Sequence, residues 1–472
     1  MAAASSLLSG KGSRVSAKQG SQLLSRPLSP LGRLVASASG TLIEWYDFFV
    51  YGSLATVMAK VFFPAANAGI GLLVTLAGLG AGFVMRPLGA LYFGRLGDER
   101  GRKKTFITTL SVMGIATTSI GLLPTYSSVG VLAPILLVFL RLAQGFCIGG
   151  EYGGAATYVG EHAPAANRGR HTSYLQATQT LGVLIAVLVI IVLQLMLGAD
   201  AFSRWGWRIP FVLSAALIVV SLRIRLRLDE SPVFEKLERS DTVSAAPVRA
   251  VLGNWRSLKT VLLAVFGVTA GMGATWHCAH AYSLVFLQNS MKVEFLTANL
   301  CFAAALAIGT PFFVVFGVLS DRWGRLPLIT IGLMCLAVST VPMYALIRES
   351  AELKHYPQIV VIIAVQVIFV AMVNGPVGAY LLELFSPEVR TTGVSVAYHL
   401  GTGIFGGFSP LIAQSLAQST GNILSGIAYP TTMAALSAIV SAVVLATRWK
   451  RTRVKDPAVN VPPAQRLLSG TV

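Results

Sequence analysis

Short hydrophilic breaks divide most of this chain into long apolar runs, and that pattern leaves few folds open to it. The runs lie at 34–62, 69–94, 105–123, 131–162, 171–198 and 207–228, then at 259–288, 294–319, 327–347, 357–385, 391–418 and 426–448. A helix rises ~1.5 Å per residue, so ~20 apolar residues cross the hydrocarbon core of a bilayer. Only 12% of the 472 residues are charged, about half the ~25% of an ordinary soluble protein. The expected fold is all-α and integral to a membrane, with twelve transmembrane helices in two bundles of six.

The basic residues set the orientation. With the N-terminus inside, 29 of the 37 Lys and Arg fall in cytoplasmic segments, five in external loops (Arg204, Arg208, Lys292, Arg348, Lys354) and three inside apolar runs (Lys60, Arg86, Arg141). Short cytoplasmic loops collect Lys and Arg, so both termini are expected in the cytoplasm. The expected organisation is a tail at 1–33, a first bundle at 34–228, a cytoplasmic linker at 229–258, a second bundle at 259–448 and a tail at 449–472. A net charge of +18 also raises nucleic acid as a partner. Nucleic-acid binders, however, gather their bases in one soluble patch, and here they are spread through the breaks between runs. Lipid, not nucleic acid, is the expected surroundings.

Residues 1–43 lack Asp and Glu and are rich in Ser and Arg. An organelle transit peptide has that composition, and so does the basic cytoplasmic tail adopted here. No separate short apolar stretch with a cleavage site precedes the first run, which argues against a removed secretory signal. Cys147, Cys278, Cys301 and Cys335 stand singly inside runs and form no CxxC, so no metal or disulfide framework is expected. There is neither a GxxxxGK[ST] loop for an ATP-driven pump nor an HExxH cluster for a membrane metalloenzyme. No catalytic residue, metal or cofactor is expected, and the chain is expected to act as a monomer.

The strongest internal signal is a repeat. GRLGDERGRKK (Gly94 to Lys104) and GVLSDRWGR (Gly317 to Arg325) share GxLxDxxGR, every matched residue displaced by 223 positions, each copy between the second and third run of its half. Glu161, Pro164 and Arg168 after the fourth run correspond to Glu383, Pro387 and Arg390 after the tenth. Parallel repeats of this kind are how many transporters rock about a central site. Gly94, Gly97 and Gly101 allow close approach of another helix, Asp98 can face a helix N-terminus, and Arg102 stays among waters and lipid phosphates. With Asp321, Gly324 and Arg325 in the second copy, and Glu161, Arg168, Glu383 and Arg390, these residues form the expected gate. A basic turn that merely fixes topology is the plainer reading of one copy, and the repetition at equal spacing favours the gate.

These residues carry a family resemblance. The doubled loops resemble those of the major facilitator superfamily. SGTLIEWYDFFVYG (Ser39 to Gly52), GFVMRPLGALYFGRLGD (Gly82 to Asp98), RLAQGFCIGGEYGGAATYVGE (Arg141 to Glu161) and WGWRIPF (Trp205 to Phe211) are similar to its metabolite:proton symporter branch, which includes alpha-ketoglutarate, citrate, shikimate and proline/betaine permeases. The resemblance covers roughly residues 34–450 and is more specific in the first half. It implies a twelve-helix fold driven by the proton gradient, importing a small polar metabolite across a bacterial cytoplasmic membrane.

A charge at mid-bilayer costs at least ~2.5–3.5 kcal/mol on insertion scales, so each one inside a run needs a cavity or a partner. Glu44 and Asp47, three residues apart on one helix face with Tyr51 a turn beyond, are the candidate proton carriers together with Glu151. In the fold that the resemblance implies, the first and fourth helices line the cavity, so Arg141 meets either those carboxylates or an anionic substrate. An Arg fork suits a carboxylate. The bland alternative is a permanent ion pair between the two helices. Arg86 is either a gate residue or a partner of Asp47 or Glu151, and Lys60 is expected to snorkel at the external interface. Gly145, Gly149 and Gly153 are expected to pack helices closely. Gln176, Gln179, His277, His280 and Asn374 complete the candidate substrate contacts, the histidines doubling as proton relays. A proline- or betaine-type zwitterion is the substrate rival, its cation held on Tyr51, Trp45 or Trp276, and a non-transporting nutrient sensor is the rival from another class.

Overall fold

The structure is a computed structural model that describes residues 30–64, 68–226, 230–240, 242, 244 and 246–455. Most of both tails, residues 1–29 and 456–472, lies outside them, as does the side chain of Arg102; with residues 1–29 goes most of the stretch read as a transit peptide or basic tail. Among the described residues all regular structure is helical. Helix α1 (Pro30–Ser53) and α2 (Ala55–Phe62) follow the first run, then α3 (Ala68–Arg100), α4 (Arg102–Leu122), α5 (Leu132–His162), α6 (Arg168–Arg204) and α7 (Ile209–Arg225). Within the polar stretch after them, α8 (Pro232–Arg239) and α9 (Pro247–Leu252) form. Ser231 caps α8 by accepting from the Phe234 N–H, and Pro232 starts its first turn, the two residue types a helix start favours. Next come α10 (Trp255–Ser290), α11 (Phe295–Trp323), α12 (Arg325–Glu352) and α13 (Tyr356–Leu384). The chain ends on α14 (Arg390–His399), α15 (Ser409–Thr420) and α16 (Ala428–Lys455).

Among the described residues ten helices are long and apolar enough to cross a membrane. The segments over the first and eleventh runs are divided. Leu54 leaves helical geometry between α1 and α2, although Leu54 and Met58 N–H groups keep the ladder going to Val50 and Leu54. Wide π turns at Leu400–Gly406 separate α14 from α15. α10 holds three more such segments, at Val265–Thr269, Cys278–Tyr282 and Phe286–Ser290. Ile115, Phe139, Val338 and Ile439 are each more than 60% exposed, which suits a surface facing lipid tails and no other.

Two contacts place the interior. α3 and α5 touch backbone to backbone: a Cβ on Gly145 would stand 1.7 Å from the Gly82 carbonyl oxygen, and one on Gly149 2.2 Å from that of Arg86. Any larger residue would force the helices apart, and with them Arg86 and Arg141, which they carry. Across the two sequence halves, α3 packs on α14 and α6 packs on α11. Under the 223-residue repeat these are one contact seen twice, the second helix of each half against the fifth of the other.

Candidate functional site

Phe48 is the centre around which the buried charges gather. The guanidinium carbon of Arg86 lies 4.5 Å from its ring centre and that of Arg141 4.3 Å, and both arginines are fully buried. Arg86 also lies over Phe83 at 3.9 Å and Trp45 at 5.4 Å, and Arg141 over Tyr51 at 4.4 Å. Ring faces attract cations, and that attraction holds both side chains in place without using their N–H groups. None of the three Arg86 nitrogens is hydrogen-bonded, and on Arg141 Nε and Nη2 are likewise without a partner. A buried donor is normally satisfied, so these groups are the chemical demand of the site.

Asp47 is fully buried on α1, and neither of its oxygens accepts a hydrogen bond. It stands beside the hydroxyls of Thr117 on α4 and Ser214 on α7. The permanent Arg141–Asp47 pair weighed in the sequence is not made. Arg141 Nη1 donates instead to Gln144 Oε1 at 2.9 Å, and Gln144 Nε2 donates to Thr117 Oγ1 at 2.6 Å. Glu44 lies close enough to Arg86 for its charge to act there, and Arg86 makes no ion pair with Asp47 or Glu151 among the described residues. Glu151 accepts from Thr109 at 2.9 Å. Thr109 and Thr117 are two turns apart on α4, which sets Glu151 about 12 Å along that axis from Asp47; the structure does not bring the third candidate acid to the other two.

The neutral candidates divide in the same way. Gln176 donates to the Tyr152 hydroxyl at 2.8 Å and Gln179 to that of Tyr398 at 3.3 Å, while the two tyrosines, one from each half, stack at 3.6 Å. His277 and His280 have Nδ1 on the carbonyls of Gly273 and Trp276 one turn back, so Nδ1 carries the proton in both. His280 stacks on Trp276 and reaches Thr180 at 3.4 Å. Tyr51 donates to the Thr75 carbonyl and the Asn374 amide to Val370 of its own helix, so the Tyr51 hydroxyl proton and one of the two Asn374 N–H groups are spent on backbone. His399, on α14, and Gln366, on α13, are buried with both side-chain polar atoms unbonded, so each is a second-half group with something to offer a ligand. Phe48, Phe83, Gln144 and Thr117 are site residues that the sequence alone does not single out. The four cysteines are free thiols, and Lys60 is exposed at the other end of the site, lining a cavity of about 310 Å³ with Thr56 and Asn289.

At the end where both GxLxDxxGR loops lie, each aspartate docks on a helix N-terminus of the opposite half. Asp98 accepts from the N–H groups of Thr391 and Thr392 at 3.2 and 2.8 Å and from the Thr392 hydroxyl at 2.7 Å. Asp321 accepts from the N–H groups of Gly169 and Arg170, both at 2.9 Å. Helix N-termini hold unpaired N–H groups and a partial positive charge, so a carboxylate is the fitting partner. Gly94 lies against Thr392 and Gly97 against Thr391, and Gly101 and Gly324, at φ +96° and +89°, turn the chain where an L side chain would be strained. Arg325 binds Asp321 at 2.6 Å and Glu383 at 3.5 Å, and Arg390 binds Glu161 at 3.2 Å across the halves. Arg168 goes to the Gly160 carbonyl instead of to an acid. The segment before α8 joins in: Ser231 donates to Glu161, and Glu230 accepts from the Lys103 N–H at 3.2 Å. Replacing Asp98 by Asn is expected to loosen this end. In a Thr391→Cys background, a thiol reagent applied from that side should label about threefold to thirtyfold faster, the worth of up to ~2 kcal/mol at a partly buried helix terminus. Unchanged labelling would count against the latch.

Two repeated, lipid-facing helical halves that clasp at one end around buried, unsatisfied guanidinium groups are the build of a multi-pass membrane transporter, not of an enzyme. The comparisons with known proteins agree. Residues 33–250 match the sugar (and other) transporter family model and residues 281–469 that of the major facilitator superfamily. The alpha-ketoglutarate permease of Escherichia coli is 34% identical, covering 86% of this chain and 92% of its own. The citrate-proton symporter of Klebsiella pneumoniae is 34% identical over 83% and 86%, and the glycine betaine/proline/ectoine/pipecolic acid transporter of Dickeya dadantii 31% identical over 90% and 85%. The solved proton:xylose symporter bound to 6-bromo-6-deoxy-D-glucose has the same fold, with a TM-score of 0.67 at 18% identity over 87% of this chain and 94% of that one. The chain belongs to the major facilitator superfamily.

Proposed function

We propose that the protein is a proton-coupled symporter that imports a small organic anion, such as alpha-ketoglutarate, another dicarboxylate or citrate, by alternating access. The reading places it in the bacterial cytoplasmic membrane as a twelve-span monomer with both termini inside. Its only driving partner is the proton gradient, with no cofactor. Asp47, with Glu44, carries the proton. Arg141 and Arg86 bind the anion. The Asp98 and Asp321 latches, now at the cytoplasmic face, hold that side closed while the site loads from outside.

One observation carries the choice of an anion: two buried guanidiniums share one aromatic ring and hold N–H groups that no protein atom accepts. A carboxylate satisfies two parallel N–H donors at once. The rings expected to hold a zwitterion's cation weigh against one, because Trp45 and Tyr51 already carry Arg86 and Arg141 and Trp276 is stacked on His280. A panel of labelled alpha-ketoglutarate, citrate, shikimate, proline and glycine betaine, offered to proteoliposomes with an imposed inside-alkaline gradient, tests this. Uptake of a di- or tricarboxylate that an uncoupler collapses is expected. Uptake confined to proline or betaine would replace the anion, and binding without uptake would make the protein a sensor.

A further inference from the structure

Asp47 and Arg141 make no hydrogen bond to each other, so something must carry the state of one to the other. Between them stand two buried side chains that no part of the proposed mechanism uses. Gln144, one turn along α5 from Arg141, accepts from Arg141 Nη1 with its carbonyl and donates to Thr117 with its amide. Each of these directions is forced, since a guanidinium only donates and an amide nitrogen only donates. Thr117 Oγ1 therefore accepts from Gln144 and retains one hydroxyl proton to place. In this structure that proton goes to the Met113 carbonyl of its own helix at 3.0 Å, although the Asp47 carboxylate is its neighbour. Ser214, on the other side of Asp47, likewise donates to its own helix, at the Pro210 carbonyl.

We infer that Gln144 and Thr117 are the coupling relay, two positioning residues through which the protonation of Asp47 sets the orientation of the Arg141 guanidinium. The inference rests on the reading of Asp47 as proton carrier and Arg141 as carboxylate site. A neutral Asp47 leaves the Thr117 hydroxyl on Met113, as here. A charged Asp47 is a far stronger acceptor than a backbone carbonyl, so the hydroxyl turns to it. The oxygen lone pair offered to Gln144 swings with that rotation, the amide follows, and the fork of Arg141 is re-aimed. No proton leaves Thr117 or Gln144; only Asp47 exchanges one with water. The other ionisable groups around Asp47 are Glu44 one turn away and Tyr46, whose hydroxyl donates to Pro210 on α7. α4 and α7 present only hydroxyls, Thr117 and Ser214, and α5 presents Arg141 through Gln144.

The test uses the full chain in proteoliposomes, with whichever member of the panel above the wild type accumulates as the probe. A carboxylate is common to all five, so the relay is tested with any of them. Two quantities are read: accumulation under an imposed proton gradient, and exchange of labelled for unlabelled probe without one. Thr117→Val, which keeps shape and loses the hydroxyl, is expected to cut accumulation about tenfold or more while exchange stays within about threefold. Thr117→Ser should behave as wild type. Gln144→Met should cut accumulation as far as the Val variant does; because Gln144 also holds Arg141 Nη1, its exchange is compared at saturating probe, and it serves in place of the Val variant if that one does not reach the membrane. Wild-type accumulation in Thr117→Val or Gln144→Met, with Asp47→Asn still uncoupled, would overturn the relay alone. Equal loss of exchange and accumulation would mark a purely structural role and also overturn it. Normal accumulation in Asp47→Asn would overturn the proton-site reading and the relay with it.

Discussion

Replacing Arg141 by Ala is expected to raise the half-saturating concentration for alpha-ketoglutarate or citrate exchange about a hundredfold, the largest effect of any single substitution in the substrate site. Of its guanidinium, Nη1 is held by Gln144 and the plane is held by Phe48 and Tyr51, which leaves the Nε and Nη2 edge unbonded. Those two N–H groups are parallel and are the pair that meets both oxygens of a carboxylate. Charge-assisted hydrogen bonds are worth ~1.5–3 kcal/mol each on average, and ~1.4 kcal/mol is tenfold in affinity, so two of them support the figure. Because the arginine is positioned before the anion arrives, little ordering cost is deducted. Arg141→Lys keeps the charge but loses the fork, so it should recover only part of the affinity. Exchange kinetics in proteoliposomes check both variants. A wild-type half-saturation in the Ala variant would remove the anion site from Arg141.

The sequence exposed the parts of this arrangement that repeat or that violate an apolar background. Apolar runs of bilayer length stand out in any reading, and so do Glu44, Asp47, Arg86 and Arg141 within them, because charge there is costly. Asp98 and Asp321 stood out through the 223-residue repeat, and each faces a helix N-terminus across the halves. What stayed hidden is which partner a side chain chooses once helices pack. Tyr51 and Asn374 lie on helices that line the site, yet Tyr51 donates to the Thr75 carbonyl of α3 and Asn374 to the carbonyl one turn back on its own helix, an option every polar residue in a helix has. Phe48 follows Asp47 in an aromatic stretch and reads as core; its role follows only from the packing that puts both arginines on it. Gln144 and Thr117 are separated by 27 positions, and neither is unusual alone. The π turns of α10 and α14 add a residue to a turn without any composition signal, so the seventh and eleventh spans read as plain helices. Ser231 and Glu230 fall in the segment read as a cytoplasmic linker, where the serine–proline pair that starts α8 was the available clue to their contacts.

Replacing Asp47 by Asn is expected to abolish accumulation while leaving exchange intact, and the size of the effect follows from the gradient itself. With one proton carried per substrate, an imposed difference of two pH units can sustain at most about a hundredfold accumulation, since each tenfold costs ~1.4 kcal/mol. Asn has the shape of the protonated acid and cannot release a proton. The variant therefore remains in the loaded form, able to bind the anion and to rock, but with nothing that senses the proton gradient; its accumulation ratio should fall to about one. The surroundings of Asp47 favour this outcome over misfolding. Neither carboxylate oxygen is hydrogen-bonded, so no native bond is lost, and the new amide finds the hydroxyl oxygens of Thr117 and Ser214 beside it. Glu44→Gln gives the needed contrast. Glu44 acts on Arg86, on the substrate side of Phe48, so its loss should alter half-saturation more than coupling. Uptake with and without an imposed gradient, set beside exchange in the same vesicles, separates the two. Gradient-driven accumulation that survives in Asp47→Asn and fails in Glu44→Gln would move the proton to Glu44.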